Sequence, residues 1–78
     1  MISIFIADDH ALIREGFKKI LNMEKDIKVV GEASNAFETI SYVEKNDFNV
    51  LILDINLPDK NGLDVLKEVK IMKPDCMY

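Results

Sequence analysis

Apolar positions along the chain fall into short continuous runs, separated by stretches in which they recur every three or four residues. Ile2-Ser3-Ile4-Phe5-Ile6-Ala7 is nearly all apolar and is closed by Asp8-Asp9, the pattern of a strand buried on both faces of a parallel sheet. From Ala11 to Met23, the residues Ile13, Phe17, Ile20 and Leu21 follow the stripe of a helix lying on that sheet, with Asp9 placed to cap it. Ile27 to Ala33 predicts a second strand. Lys28 and Glu32 interrupt it and Gly31 weakens it, as expected at a sheet edge. Asn35 with Glu38 forms a capping box for a second helix, which carries Ala36, Ile40 and Val43 on its buried stripe and ends near Asn46. Val50 to Leu53 is a third strand, Asp54 to Asn61 a loop containing Pro58, and Gly62 leads into a third helix striped by Val65, Leu66, Val69 and Met72. Lys73-Pro74-Asp75 stops that helix, and Cys76-Met77-Tyr78 reads as a fourth strand barely begun.

The order βαβαβα with short connections calls for a parallel α/β sheet with right-handed crossovers. The most uniformly apolar strand belongs at the centre, which predicts a spatial order of 2-1-3. Ligands of such sheets bind where the strand order reverses, at the carboxyl ends of the flanking strands. Asp8, Asp9 and Asp54 stand at those ends.

Composition narrows the reading. A chain of 78 residues, 49% hydrophobic and 31% charged, makes at most one small domain, with a core that is marginal at this length. A net charge of -4 disfavours direct binding to nucleic acid or to an anionic membrane, which needs clustered Lys and Arg. Cys76 is the one cysteine, so neither an internal disulfide nor a multi-cysteine zinc site is available. With no basic leader and no long apolar stretch, a cytoplasmic location is expected. Gly16 and Gly31 do not fall into a phosphate-cradling spacing.

Three carboxylates brought within a few ångströms repel one another, and keeping them ionised calls for a cation. Hard oxygen ligands select Mg²⁺ or a similar ion, and such a site suits phosphoryl transfer to a carboxylate. Acids at strand ends also cap helices or start turns, a plain role that fits Asp9 best and Asp54 least. In Asp54-Ile55-Asn56-Leu57-Pro58, the apolar Ile55 and Leu57 are expected to hold the loop down while Asn56 offers a carbonyl toward the crevice. His10 is expected at the solvated start of a helix rather than as a ligand. Arg14, Lys18, Lys19, Lys67 and Lys70 are expected on solvated helix faces.

Phe5-Ile6-Ala7-Asp8-Asp9-His10 with Arg14-Glu15-Gly16, followed by Leu51-Ile52-Leu53-Asp54-Ile55-Asn56-Leu57-Pro58, Asn61-Gly62 and Val65-Leu66, resembles the receiver domain of a two-component response regulator. The Asp-Asp-His start is most similar to the subfamily whose receivers precede a helix-turn-helix output domain. The resemblance implies a flavodoxin-like, doubly wound sheet, with Asp54 as phosphoacceptor for a sensor histidine kinase. It implies Mg²⁺ held by Asp9 and Asp54, by Asn56 through its backbone carbonyl, and by Asp8 directly or through water. Pro58 and Gly62 shape the loop, and part of the first helix serves kinase docking.

Residues 1–78 supply three βα units of the five that the family's 2-1-3-4-5 sheet contains, so a partial receiver is expected. The Ser or Thr, the Lys and the aromatic switch residue of the later strands would lie beyond it. Phosphorylation and signalling are then expected to be impaired, with Val65, Leu66 and Val69 partly bare. A homo-oligomer through the exposed edge of the third strand is also expected. Two rivals remain. One is a non-catalytic interaction scaffold; the other is an Mg²⁺ phosphatase with an Asp nucleophile, which lacks its second acid because Asn56 stands two residues after Asp54.

Overall fold

A computed structural model describes residues 1–73 of the chain; the fourth-strand start expected at Cys76-Met77-Tyr78 lies outside them. The elements run β1 (Ile2–Ala7), α1 (Ala11–Asn22), β2 (Ile27–Ala33), α2 (Ala36–Lys45), β3 (Val50–Leu53) and α3 (Gly62–Met72). The strands form a parallel sheet in the order β2-β1-β3, as expected from their patterning.

One face of the sheet packs on α2 and α3. Phe5, Ala7, Ala33 and Leu51 meet Ala36, Val43, Phe48, Leu57, Val65 and Val69 in one buried cluster. Val65 and Val69 are fully buried, which corrects the expectation for those two, since α2 covers them from the side; Leu66 is only half-buried, as expected. Phe5 stacks on Tyr42, with ring centroids 4.1 Å apart and planes 14° from parallel, and Phe48 lies tilted 5.5 Å from Phe5.

The other face is thinly covered. Ile4 and Ile6 are buried there, but α1 has no buried residue; Ile13, Phe17 and Ile20 remain exposed. The stripe has the predicted spacing, yet α1 overlies only part of the sheet, leaving a groove of about 420 Å³ between Ile13, Phe17, Ile52 and Leu53 that opens at Asp8, His10 and Asp54.

A register shift between Ile4 and Phe5 leaves Val30 as an extra residue in β2, a bulge. Gly31 then pairs with Phe5 and Glu32 with Ile6. Paired residues of parallel strands point to the same face, so the bulge turns Gly31 toward Tyr42 and Glu32 toward α1. Without the extra residue the two would exchange faces and Glu32 would enter the aromatic core. On the α1 side, Glu32 receives Arg14 Nε at 2.8 Å and Lys18 Nζ at 2.7 Å. Arg14 is therefore not a solvated helix residue, contrary to expectation, since only 17% of its side chain is exposed.

The start of α2 is fully partnered. Asn35 Oδ1 accepts from the Glu38 amide at 2.8 Å, as the capping-box spacing predicts, while Glu38 reaches back to the amide and hydroxyl of Ser34. The first two helical amides, Ala36 and Phe37, donate to Asp59 from the loop after β3.

A Cβ at Gly31 would stand 2.5 Å from the Tyr42 ring, so Gly31→Ala displaces a ring held by its stack on Phe5 and by its hydroxyl bond to the Val30 carbonyl. The expected cost is about 1–3 kcal/mol, as for overpacking of a filled core, read as a fall in the urea midpoint.

Candidate functional site

The acidic residues are delivered by the last rungs of the sheet. The Asp8 amide donates to the Ala33 carbonyl at 3.0 Å, and the Asp54 amide to the Ala7 carbonyl at 2.8 Å. Both residues are thus fixed as their strands end, at the edge where the order reverses between β1 and β3. Asp8, Asp9, His10 and Asp54 each offer a ligand atom, and these atoms all lie within 4.8 Å of one another. Asp8, Asp9 and Asp54 are thereby brought together as the sequence predicts.

His10 is the unexpected member. It is the N-cap residue of α1 and is exposed, as anticipated, but makes no side-chain cap. Its ring turns back instead, with Nδ1 2.7 Å from Asp8, 2.9 Å from Asp9 and 3.6 Å from Asp54. The turn is local: Asp8 Oδ1 accepts the His10 amide at 2.8 Å, an Asx-type bond that folds residue 10 over residue 8. The Asp-x-His spacing carries that signal. Capping of α1 by Asp9 is corrected by the same geometry, because the N-cap position falls to His10 and Asp9 stays with the cluster.

Burial pushes the Asp8 carboxyl up, but the His10 amide and imidazole against it leave it below the ordinary carboxylate value. The hydrogen bond to Asp8, followed by the field of Asp9, holds the His10 imidazole above its ordinary value.

The loop after β3 is closed on itself. Asp54 Oδ1 accepts the Asn56 amide at 3.0 Å, placing the Asn56 backbone beside the carboxylate, and Asn56 bridges to Asn61. Asn61 caps α3 by accepting the Leu63 amide at 2.8 Å. Leu57 is buried as expected, whereas Ile55 is 54% exposed, because only one side of so tight a loop can face the core. The Gly62 amide donates to the Ile55 carbonyl at 2.7 Å. A Cβ there would stand 2.6 Å from the Asp54 carbonyl oxygen, so only glycine lets α3 start this close to the acid. The donor set is one of hard carboxylate oxygens with the Asn56 backbone adjacent, which fits a divalent cation such as Mg²⁺.

Comparison with known proteins agrees with this architecture. A profile described as the response regulator receiver domain matches residues 4–77. The nitrate/nitrite response regulator NarL of Escherichia coli K12 is 41% identical over 87% of this chain, which spans 32% of that protein's length. RcsB of Salmonella enterica serovar Typhimurium, solved bound to a promoter with a beryllofluoride phosphomimetic, superposes with a TM-score of 0.88 at 33% identity, over 97% of this chain and 64% of that one. The response regulator domain of Thermotoga maritima CheB gives 0.90 at 31% identity, over 95% and 55%. The fold is thus the flavodoxin-like receiver fold. Among the described residues no helix is long and apolar enough to cross a membrane.

The chain has one histidine, so its titration by NMR reports on the cluster directly. With no divalent cation added, the His10 midpoint is expected above 6.5 and to fall on Asp8→Asn. Because the folded value is the raised one, the stabilisation this pair provides is complete below the unfolded value and lost as pH rises through the folded value. A midpoint at or below 6.5 contradicts the arrangement.

Proposed function

The chain belongs to the response regulator receiver domain family, and on that premise we propose that it is the phosphoacceptor of a two-component signalling switch, with Asp54 receiving the phosphoryl group of a sensor histidine kinase. The observation carrying this reading is the convergence of Asp8, Asp9 and Asp54 within 4.8 Å at the strand-order reversal. The Asn56 amide orients the acceptor by holding Asp54 Oδ1. One carboxylate oxygen of Asp54 attacks phosphorus in line; the P–O bond forms as the P–N bond to the kinase histidine breaks, leaving an acyl phosphate and a neutral imidazole once its nitrogen takes a proton.

Asp8, Asp9, Asp54 and the Asn56 backbone carbonyl would hold Mg²⁺, which neutralises charge on the transferring group. The role is regulatory rather than that of a turnover enzyme. Through a helix-turn-helix output domain the parent protein would regulate transcription, in keeping with the promoter-bound RcsB relative. Self-association through the open edge of β3, which pairs only with β1 among the described residues, is a companion proposal; sedimentation as a monomer removes it.

Incubation with acetyl phosphate and millimolar Mg²⁺ is expected to add the mass of one phosphoryl group to a fraction of the chains, in keeping with the impaired phosphorylation expected above. Chelation and Asp54→Asn are each expected to abolish the gain. An unmodified wild-type chain that also ignores beryllofluoride is instead the interaction scaffold, and turnover of a simple phosphate ester would point to the phosphatase.

A further inference from the structure

Arg14 reaches the pocket without touching its carboxylates. Its Nη1 donates to the backbone carbonyl of Asp8, while Nε donates to Glu32 at 2.8 Å. The Asp8 amide is already bound to the Ala33 carbonyl, so the residue is gripped at both its amide and its carbonyl. The Asp8 carbonyl belongs to the peptide plane that joins Asp8 to Asp9. Rotation of that plane reorients one acid relative to the next, and a guanidinium fork anchored to a neighbouring strand opposes it.

We infer that Arg14 is a positioning residue of the acidic pocket: anchored by Glu32, its guanidinium fixes the peptide between Asp8 and Asp9, and with it the convergence of both carboxylates on Asp54. The inference rests on the phosphoacceptor reading and extends it to a residue outside the cluster. Lys18 provides an internal control. It lies one turn further along α1 and binds the other oxygen of Glu32 at 2.7 Å, and it also pairs with Glu15, but it has no bond to Asp8. Loss of the ion-pair network is thereby separable from loss of the grip on the carbonyl.

The test measures the Mg²⁺ dissociation constant by NMR titration, alongside the urea midpoint, in the full chain carrying Arg14→Ala, Arg14→Lys or Lys18→Ala. Arg14→Ala is expected to weaken Mg²⁺ about 10-fold, the scale seen when the support of a metal ligand is removed. Lys18→Ala is expected to keep wild-type affinity despite its lost ion pairs. Arg14→Lys, whose single ammonium reaches Glu32 or the carbonyl but cannot fork to both, is expected to fall between, and it decides the matter alone if Arg14→Ala does not fold. Wild-type affinity in the folded Arg14 variants overturns the inference, as does an equal loss in Lys18→Ala. A wild-type chain with no saturable response to Mg²⁺ overturns instead the phosphoacceptor reading beneath it.

Discussion

The site depends on the parallel ladder holding its register to the final residue of each strand. Asp8 and Asp54 are not parts of loops that happen to meet; each is the first residue beyond a strand, and its amide makes the closing rung on a neighbour. β1 lies in the middle, so one carbonyl it presents, that of Ala7, receives Asp54, while its own continuation at Asp8 is received by β2. A slip of one residue in either pairing moves an acid along the edge by about 3.3 Å and turns its side chain to the opposite face. The central strand's burial on both faces enforces the register, because any slip would also drive Phe5 out of its stack on Tyr42.

The β2 bulge extends that control to the charged groups. By inserting Val30, it gives the aromatic core a glycine where Tyr42 needs room and gives α1 a glutamate where Arg14 and Lys18 need an acid. Both consequences come from a single extra residue. An exposed ion pair on a helix is worth little by itself. Here the pairs tie α1, which buries no residue of its own, to the sheet that carries the acids, and through Arg14 they reach the backbone of one of them.

What the sequence made legible follows the range of each interaction. Strand order, the spacing of the helix stripes and the meeting of Asp8, Asp9 and Asp54 were readable because periodicity and strand-end placement are properties of local pattern, whereas the exposure of the α1 stripe was not. Asn35 and Glu38 cap as their spacing says. Arg14 was not readable, because its partner Glu32 is 18 residues away and faces it only through a bulge whose one local mark, Gly31, was read as a weakening of the strand. Asp59 was missed because of the same separation, the amides that donate to it lying 22 and 23 residues back. His10 was readable in part: its place at the helix start was, but the inward turn of its ring depends on the Asp8 bond.

Electrostatically, the arrangement keeps the pocket negative. In a chain already carrying a net charge of -4, the simplest way to quiet three close carboxylates would be to aim a lysine or arginine at them. The two basic side chains of α1 on that side, Arg14 and Lys18, are instead taken up by Glu32, and Arg14 touches the site only at a carbonyl. The group that does enter is an imidazole, on a side chain 62% exposed, its pKa held above the ordinary value by the Asp8 hydrogen bond and the field of Asp9. A permanently seated guanidinium would compete with any divalent ion for the same oxygens. An imidazole that is mostly exposed is more easily displaced from them by such an ion.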